Sequence, residues 1–382
     1  MKHAHCRRII CLFPGFEKIN VTKEYGPISA YLSKLGYDVK ILTYLDDSNK
    51  GIRDIDGVEL IRFHGKPHSL YSIHFPLLHY ILKNRKNIDC IFASFTISNV
   101  IASIVFKLVR RGIYVVKMDS DGRLYRGDLV MRIIKRFIGE VIFRTLLFTA
   151  DLLIIETPEA KKRVLDMHPY LKNKLVMLPF GIDQDMWGKL GKAIIQQKNK
   201  KILFAGRVEY GKGVDLLINA FSRLKDKYPT WNLEIDGEIM PSFKDEMKEL
   251  TSNLKDRVIL SNSSSSKELA EKYMQSEIFC FPSRHFHSLG PESFGVVLLE
   301  AIYFNNAVIA SDAGAAEYVL DYGNAGLIFK NGNIDDLTLK LEKLMKDRNL
   351  RKKLARNAKL RCEELFDWEK IIRELDLQLK KL

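Results

Sequence analysis

The chain contains two successive series of short apolar segments, and stretches with helical spacing separate the segments within each series. Strands that alternate with helices favour a mostly parallel sheet with helices on both faces. A polar segment, Gly191 to Lys200, separates the two series. We therefore predict an α/β chain with two doubly wound, Rossmann-like domains. Such sheets bind ligands at the carboxyl ends of their strands, here in a cleft between the domains.

The apolar segments predict seven strands in the first series and six in the second. The first seven are Arg8–Phe13, Val39–Tyr44, Val58–Phe63, Asp89–Ala93, Ile113–Met118, Leu152–Ile155 and Leu175–Leu178. The next six are Ile202–Ala205, Leu233–Asp236, Val258–Leu260, Ile278–Phe281, Val308–Ala310 and Leu327–Phe329. Helices are predicted in the first series at Pro27–Leu35 and near 76–86, 97–110, 129–147 and 158–167.

A length of 382 residues also favours two domains. We place the first at residues 1–180 and the second at 181–365. The last stretch, Trp368–Leu382, has an amphipathic pattern, and we predict that a helix in 366–382 packs back on the first domain.

The positive charge of the chain is concentrated in its first half. Residues 1–180 contain 29 Lys and Arg against 17 Asp and Glu, whereas residues 181–382 contain 32 against 30. This excess indicates an anionic partner of the first half, which is a nucleic acid, an anionic bilayer or a phosphorylated substrate.

Cysteine use and hydropathy suggest a reduced, cytoplasmic protein. The five cysteines show no C-x-x-C spacing, which argues against a disulfide framework and against a zinc site. The longest apolar run, Val141–Ile155, is interrupted by Arg144 and Asp151 and is too short to span a membrane. Because Pro14 follows the first apolar residues, we interpret them as a strand and not as a signal peptide.

The segment Pro291–Ala301 carries two carboxylates eight positions apart, Glu292 and Glu300. A helix that starts near Phe294 would offer unpaired backbone N–H groups and a positive dipole end, which together form a phosphate site. The segment suits a molecule with an anionic middle and hydroxyl-rich ends, a sugar at Glu292 and a ribose at Glu300. The alternative is an amphipathic helix with two solvated glutamates.

The segment Phe204–Asp215 predicts a strand, a glycine-containing loop and the start of a helix. Arg207 and Lys212 lie in that loop, where an Arg fork and a Lys point charge suit a diphosphate. Its glycines match neither a Walker loop nor a dinucleotide fingerprint, so kinase and dehydrogenase functions lose their main support. The alternative is a solvated basic loop.

These two segments resemble the retaining glycosyltransferases of family 4, which have the two-domain GT-B fold. The resemblance covers most of the second half of the chain, and its motifs occur in the family's order. They are Leu178–Asp183, Gly206-Arg207 with Lys212-Gly-x-Asp215, Phe281-Pro-Ser283, the E-x7-E segment, Val308–Glu317 and Gly326–Phe329.

The resemblance implies transfer of a sugar from a UDP-sugar or GDP-sugar to a hydroxyl acceptor, with no cofactor and no metal. It implies that Arg207 and Lys212 contact the diphosphate, that Glu292 meets the transferred sugar and that Glu300 holds the ribose. The base would lie near Gly237 and the loop around Ser264. The predicted donor-binding residues are Glu300, Ser293, Phe294, Gly295, Val296, Gly237, Ser264 and Gly26.

The first half matches the family less closely. The family's glycine pair after the first strand is replaced by Glu24-Tyr-Gly26-Pro27, with one glycine. Asp119 stands where many members have a histidine. It stabilises positive charge at the anomeric carbon or orients the acceptor, or else it caps a loop. The predicted catalytic residues are Glu292, Arg207, Lys212 and Asp119.

Two further sequence patterns are each compatible with more than one interpretation. His285 and His287 form a metal pair, contact substrate as part of a lid, or belong to an ordinary loop. The stretch with Arg132, Lys135, Arg136 and Arg144 is an amphipathic basic helix that lies on anionic lipid or packs on the core. A basic helix that lies on anionic lipid would suggest peripheral binding to the inner face of the cell membrane and a lipid-linked acceptor.

The alternatives to this function come from two classes. A pI of about 9.3 fits a nucleic-acid-binding protein, but we find no RNP-type strand motif or helix-turn-helix pattern. A glycogen-synthase-like or phosphorylase-type enzyme would keep the fold and change the reaction.

Overall fold

A computed structural model of the chain describes residues 7–12, 25–45, 55–64, 75–94, 97–118, 144–192, 198–254, 256–284 and 294–382. The chain divides into two compact units. The first unit is Met1–Gly181 with Trp368–Leu382, and the second is Ile182–Asp367.

The described part of the first unit contains one parallel sheet with strand order β3-β2-β1-β4-β5-β6-β7. Its strands are β1 (Arg8–Leu12), β2 (Asp38–Leu45), β3 (Val58–His64), β4 (Cys90–Ser94), β5 (Ile113–Met118), β6 (Leu152–Ile155) and β7 (Leu175–Met177). Its helices are α1 (Gly26–Lys34), α2 (Phe75–Asn84), α3 (Ile97–Arg110) and α4 (Pro158–Met167), and residues 144–149 are also helical.

The second unit contains a parallel sheet with the order β10-β9-β8-β11-β12-β13 among its described residues. Its strands are β8 (Asn199–Ala205), β9 (Asn232–Asp236), β10 (Val258–Ser261), β11 (Ser276–Phe281), β12 (Ala307–Ser311) and β13 (Leu327–Phe329). Its helices are α5 (Gln184–Lys192), α6 (Val214–Leu224), α7 (Lys244–Thr251), α8 (Ser266–Gln275), α9 (Val296–Tyr303), α10 (Ala316–Val319), α11 (Ile334–Lys346) and α12 (Arg348–Leu365).

The central strands are apolar because helices cover both faces of each sheet. Every residue of β4 and of β12 is buried, and each unit has its own apolar core. Each strand order reverses direction at one point, beside β1 in the first sheet and beside β8 in the second. Doubly wound sheets bind ligands at that switch point, at the carboxyl ends of the strands. The predicted α/β class and all thirteen predicted strands are confirmed, with small shifts at the strand ends.

The C-terminal helix α13 (Trp368–Leu379) belongs to the first unit and packs against α1. The Tyr37 hydroxyl donates a hydrogen bond of 2.6 Å to Asp376. The Trp368 ring lies 5.3 Å from the ring of Phe180, and a Cβ at Gly181 would meet the same indole at 2.5 Å. Gly181 therefore lets the chain leave the first unit directly over this ring.

Candidate functional site

The glycine-containing loop after β8 lies against the end of β11. Gly213 adopts a left-handed conformation with φ of 68°, and a Cβ there would lie 2.0 Å from the carbonyl oxygen of Pro282. The N–H of Arg284 donates to the carbonyl of Gly211 at 2.9 Å. Only glycine allows this approach, and the turn Tyr210–Lys212 is therefore held beside β11.

Helix α9 begins against the same strand end. Gly295 has φ of 75° and precedes the first helical residue, Val296. A Cβ at Gly295 would lie 2.8 Å from the ring of Phe281, the last residue of β11. The turn that carries Lys212 and the start of α9 therefore both contact the end of β11, at Pro282 and Phe281 respectively.

The helix start is two residues later than the sequence predicts. Phe294 does not open the helix, because the left-handed Gly295 separates it from Val296. The Phe294 side chain is buried and packs edge-on against Phe366 at 5.7 Å. The amides with no partner inside the helix are then those around Val296 and Val297, and Glu300 lies only four residues from the helix start.

Glu300 is fully buried, so its interpretation as a solvated glutamate is wrong. The Tyr273 hydroxyl on α8 donates to Glu300 Oε2 at 3.0 Å. Burial, followed by the charge of Glu300, raises the pKa of Tyr273 well above its ordinary value. Tyr273 therefore stays a hydroxyl donor and fixes the position of this carboxylate.

Arg207 and Lys212 present two cations after β8. The Arg207 side chain is 57% exposed and lies 3.4 Å from Glu209. Lys212 closes a single turn of 3₁₀ helix and directly precedes Gly213. A basic loop and a ligand-binding loop both have exposed cations, so the exposure of Arg207 leaves both interpretations open.

A charged network lies at the end of β9. Asp236 accepts hydrogen bonds of 2.6 Å from the Ser264 hydroxyl and from Lys272, and Lys272 also lies 3.1 Å from Glu234. Burial alone would raise the pKa of Glu234, but Lys201 and Lys272 outweigh it, and the pKa lies below its ordinary value. This network holds the Ser264 loop against β9.

Gly237 follows Asp236, and a Cβ there would lie 1.8 Å from the carbonyl of Gly206. The loops after β8 and β9 are therefore in direct contact. The structure thus brings Arg207, Lys212, Gly237, Ser264 and the start of α9 to one edge of the second sheet.

Two residues that the sequence analysis did not assign, Arg284 and Tyr273, support this edge. Arg284 pairs with Asp215 on α6 and lies over the Tyr210 ring at 4.0 Å from its centre. Arg284 directly follows the Pro-Ser motif, and this position is a signal that the sequence offers. No sequence signal connects Tyr273 with Glu300.

In the first unit, Gly26 is a buried residue at the start of α1, followed by Pro27. A second unassigned feature lies at the carboxyl ends of β5 and β6. Lys117 and Glu156 form an almost fully buried ion pair of 2.5 Å, and Lys117 Nζ lies 5.4 Å from the centre of the Phe180 ring.

Several predicted residues lie outside the described residues, and their assignments stay predictions. They are Glu292, Ser293, Asp119, His285, His287, Arg132, Lys135 and Arg136. Among the residues that the structure does describe, no three His, Cys, Asp or Glu side chains are grouped as metal ligands. None of the described helices is both long and apolar enough to cross a bilayer.

Residues 187–361, which lie within the second unit, match the family model of the glycosyl transferases group 1. A mannosylfructose-phosphate synthase from Agrobacterium fabrum is 25% identical over 252 residues, which cover 62% of this chain and 53% of that protein. A phosphatidyl-myo-inositol mannosyltransferase from Mycolicibacterium smegmatis is 29% identical over 173 residues, 45% of this chain and 42% of that protein. The chain spans about half the length of these relatives.

The solved structure of Anabaena HepE in complex with UDP and glucose has a TM-score of 0.76 to this chain. The match covers 98% of this chain and 100% of HepE, at 17% identity. At that identity the likeness concerns the fold, which is GT-B. The family match and the motif order therefore place residues 187–361 among the glycosyl transferases group 1, and the two sheets have the GT-B fold.

Proposed function

We propose that the chain transfers a sugar from a nucleotide-diphosphate sugar to a hydroxyl acceptor, with retention at the anomeric carbon. The observation that carries this proposal is the shared position at β11 of the Lys212 turn and the start of α9. Cations and a helix N-terminus are both suited to a diphosphate, and two such elements at one strand end suit the same ligand.

We infer the donor contacts from the family resemblance, and the positions of Arg207, Lys212 and Glu300 in the second unit support them. Arg207 and Lys212 bind the diphosphate, Glu300 binds the ribose, and Glu292 binds the transferred sugar. Gly237 and Ser264 line the base. The bound UDP of HepE makes a UDP-sugar the first donor to test, with GDP-sugars and ADP-sugars beside it.

The leaving group explains why cations matter more than a strong base. The diphosphate already carries negative charge, and neutralisation by Arg207 and Lys212 stabilises it as the bond to the sugar breaks. The acceptor hydroxyl attacks on the face from which the diphosphate leaves. Asp119 stabilises the positive charge on the sugar or orients the acceptor, and no metal is required.

The acceptor is proposed to be a lipid-linked sugar or a related glycan precursor, reached by peripheral binding to an anionic bilayer. The relative that is a phosphatidyl-myo-inositol mannosyltransferase supports a lipid acceptor. The concentration of positive charge in residues 1–180 supports an anionic surface.

The test is incubation of the protein with UDP-, GDP- and ADP-sugars, followed by thermal shift and by detection of released nucleoside diphosphate. A ligand at ~100 times its Kd adds about 2.7 kcal/mol to the free energy of unfolding. Product NMR then reports the anomeric configuration. The proposal fails if every nucleotide sugar leaves the melting temperature unchanged and no nucleoside diphosphate is released.

A further inference from the structure

Three helix ends in the first unit carry exposed, large apolar side chains. Helix α3 leads into β5, the helical segment 144–149 leads into β6, and α4 leads into β7. Phe148 is 84% exposed and Leu108 is 77% exposed. We call the surface formed by these helix ends, at the amino ends of β5, β6 and β7, the amino-edge surface. Its exposed apolar residues are Leu108, Val109, Phe148, Met167 and Tyr170.

These helix ends lie at one edge of the sheet, since helices that precede parallel strands end where those strands begin. The strands β5, β6 and β7 are neighbours in the sheet. Lys107 on α3 forms an ion pair with Asp151, and Asp151 also accepts the N–H of Tyr114 at 2.8 Å. Lys174 donates to the carbonyls of Phe148 and Ala150 at 3.2 and 3.0 Å. This edge is opposite the carboxyl ends, where Lys117 and Glu156 lie.

The same edge is strongly basic. The segments at the amino ends of β1, β4, β5, β6 and β7 are residues 7–8, 85–89, 107–112, 147–151 and 166–174. They contain nine Lys and Arg against three Asp, so their net charge is +6. These five segments therefore carry +6 of the +12 of residues 1–180, and they lie away from the strand ends where ligands bind.

Exposed apolar side chains among cations suit an anionic bilayer. The apolar groups enter the boundary between headgroups and acyl chains, while Arg and Lys contact anionic headgroups. A second copy of this chain is a poor partner, because two surfaces of charge +6 repel one another. A phosphorylated substrate would account for the charge but not for five exposed apolar side chains.

We propose that the amino-edge surface docks the first unit on an anionic bilayer. This assigns the membrane binding suggested above to described residues, and it does not depend on the identity of the donor. The carboxyl ends of the strands then lie about one strand length, roughly 20 Å, from the bilayer. The acceptor group must therefore extend from the membrane surface, as a lipid that already carries sugars does.

The first experiment measures sedimentation of the full chain with vesicles of phosphatidylglycerol and phosphatidylcholine. Each charge near an anionic surface contributes about fivefold to partitioning, so Arg110→Gln/Arg111→Gln/Lys172→Gln should weaken binding roughly 100-fold. The matched control is Lys352→Gln/Lys353→Gln/Arg356→Gln, which removes three exposed charges from α12 in the second unit. Equal losses in both variants would reveal unspecific adsorption and overturn the proposal.

The second experiment tests insertion. The three native tryptophans are almost fully buried, so Phe148→Trp adds an exposed indole that lipids with brominated acyl chains should quench. Tyr322→Trp, at an exposed site in the second unit, should not be quenched. Quenching of both variants, or of neither, contradicts docking through this edge.

A third experiment, which measures vesicle binding and nucleoside diphosphate release on the same variant, separates the docking proposal from the proposed function. Phe148→Ser/Leu108→Ser should weaken vesicle binding about tenfold or more, because two apolar groups no longer leave water, while nucleoside diphosphate release in vesicle-free buffer stays unchanged. Vesicle binding without any sugar transfer would refute the proposed function alone. If the wild-type chain stays in the supernatant at low salt, or forms a dimer that the double Ser variant abolishes, the bilayer is not the partner.

Discussion

Arg284 and Asp215 form a bidentate ion pair, with nitrogen–oxygen distances of 2.7 and 2.5 Å. The two residues lie 69 positions apart, one after β11 and the other on α6. Arg284 also donates to the carbonyl of Tyr210 at 2.6 Å. Arg284 and Asp215 therefore hold the turn that ends in Lys212 between the segment after β11 and helix α6.

Arg284→Ala should loosen this turn and reduce affinity for a nucleoside diphosphate about tenfold, because Lys212 loses its fixed position. Arg284→Lys should recover only part of that affinity, since an ammonium group cannot form the bidentate pair. Titration calorimetry with UDP and GDP measures the effect. The control is Arg223→Ala, a change on α6, the helix that carries Asp215, which breaks an exposed ion pair with Asp335 on α11. An Arg284→Ala variant that binds as the control does would show that the pair has no positioning role.

Arg207→Ala and Lys212→Ala should each abolish transfer while the fold stays intact. Each change removes a charge-assisted hydrogen bond to the diphosphate, about 1.5–3 kcal/mol in binding and more in the transition state. Circular dichroism checks the fold, and a coupled assay for nucleoside diphosphate measures turnover. A well-folded double variant with wild-type turnover would refute the assignment.

Glu300→Gln should raise the KM for the donor more than it lowers kcat, because an amide accepts hydrogen bonds through only one of its two groups. Glu292→Gln should do the reverse, since it acts beside the reacting sugar. Tyr273→Phe should follow Glu300→Gln with a smaller increase in KM, because it removes the hydroxyl that holds Glu300. Initial rates over a range of donor concentrations separate the two parameters. If neither Glu change affects either parameter, the pair has no role in the donor site.

Gly213→Ala should destabilise the second unit by more than about 2 kcal/mol. The left-handed conformation alone costs an L-residue roughly 1–2 kcal/mol, and the new Cβ would also meet the Pro282 carbonyl at 2.0 Å. Gly332→Ala is the control, because Gly332 is also left-handed but no atom lies within 4 Å of its Cβ position. Urea denaturation compares the two variants, and equal losses of stability would contradict the close approach at Pro282.

Lys198 should make stability depend on pH. Burial lowers its pKa to about 8, against the opposing charge of Glu277. Between this value and the ordinary pKa of 10.5, the unfolded chain keeps a proton that the folded chain has released. The free energy of unfolding should therefore rise with pH in this window, by at least about 1 kcal/mol relative to Lys198→Gln. Urea midpoints at pH 8 and pH 10 test this, and a constant difference between the two proteins would show that Lys198 titrates normally.

The sequence by itself determined the strands, their alternation with helices and the order of the motifs. Each of these depends on residues close together in the chain. Short apolar runs of three to six residues between stretches of helical spacing predict buried strands, and a glycine predicts a turn with a positive φ that other residues rarely adopt. The segment around Gly213 could therefore be placed after its strand before any tertiary contact was known.

Only the tertiary structure decided which of these segments meet. Helix α9 starts at Val296 and not at the predicted Phe294, whose side chain packs on Phe366, a residue 72 positions away in the chain. Glu300 is buried and accepts a hydrogen bond from Tyr273, 27 positions away in the chain. Basic residues from five separate segments lie at the amino edge, because parallel strands gather their preceding turns there. Contacts between distant segments depend on strand order and on side-chain packing, and neither is encoded in the local period of the sequence.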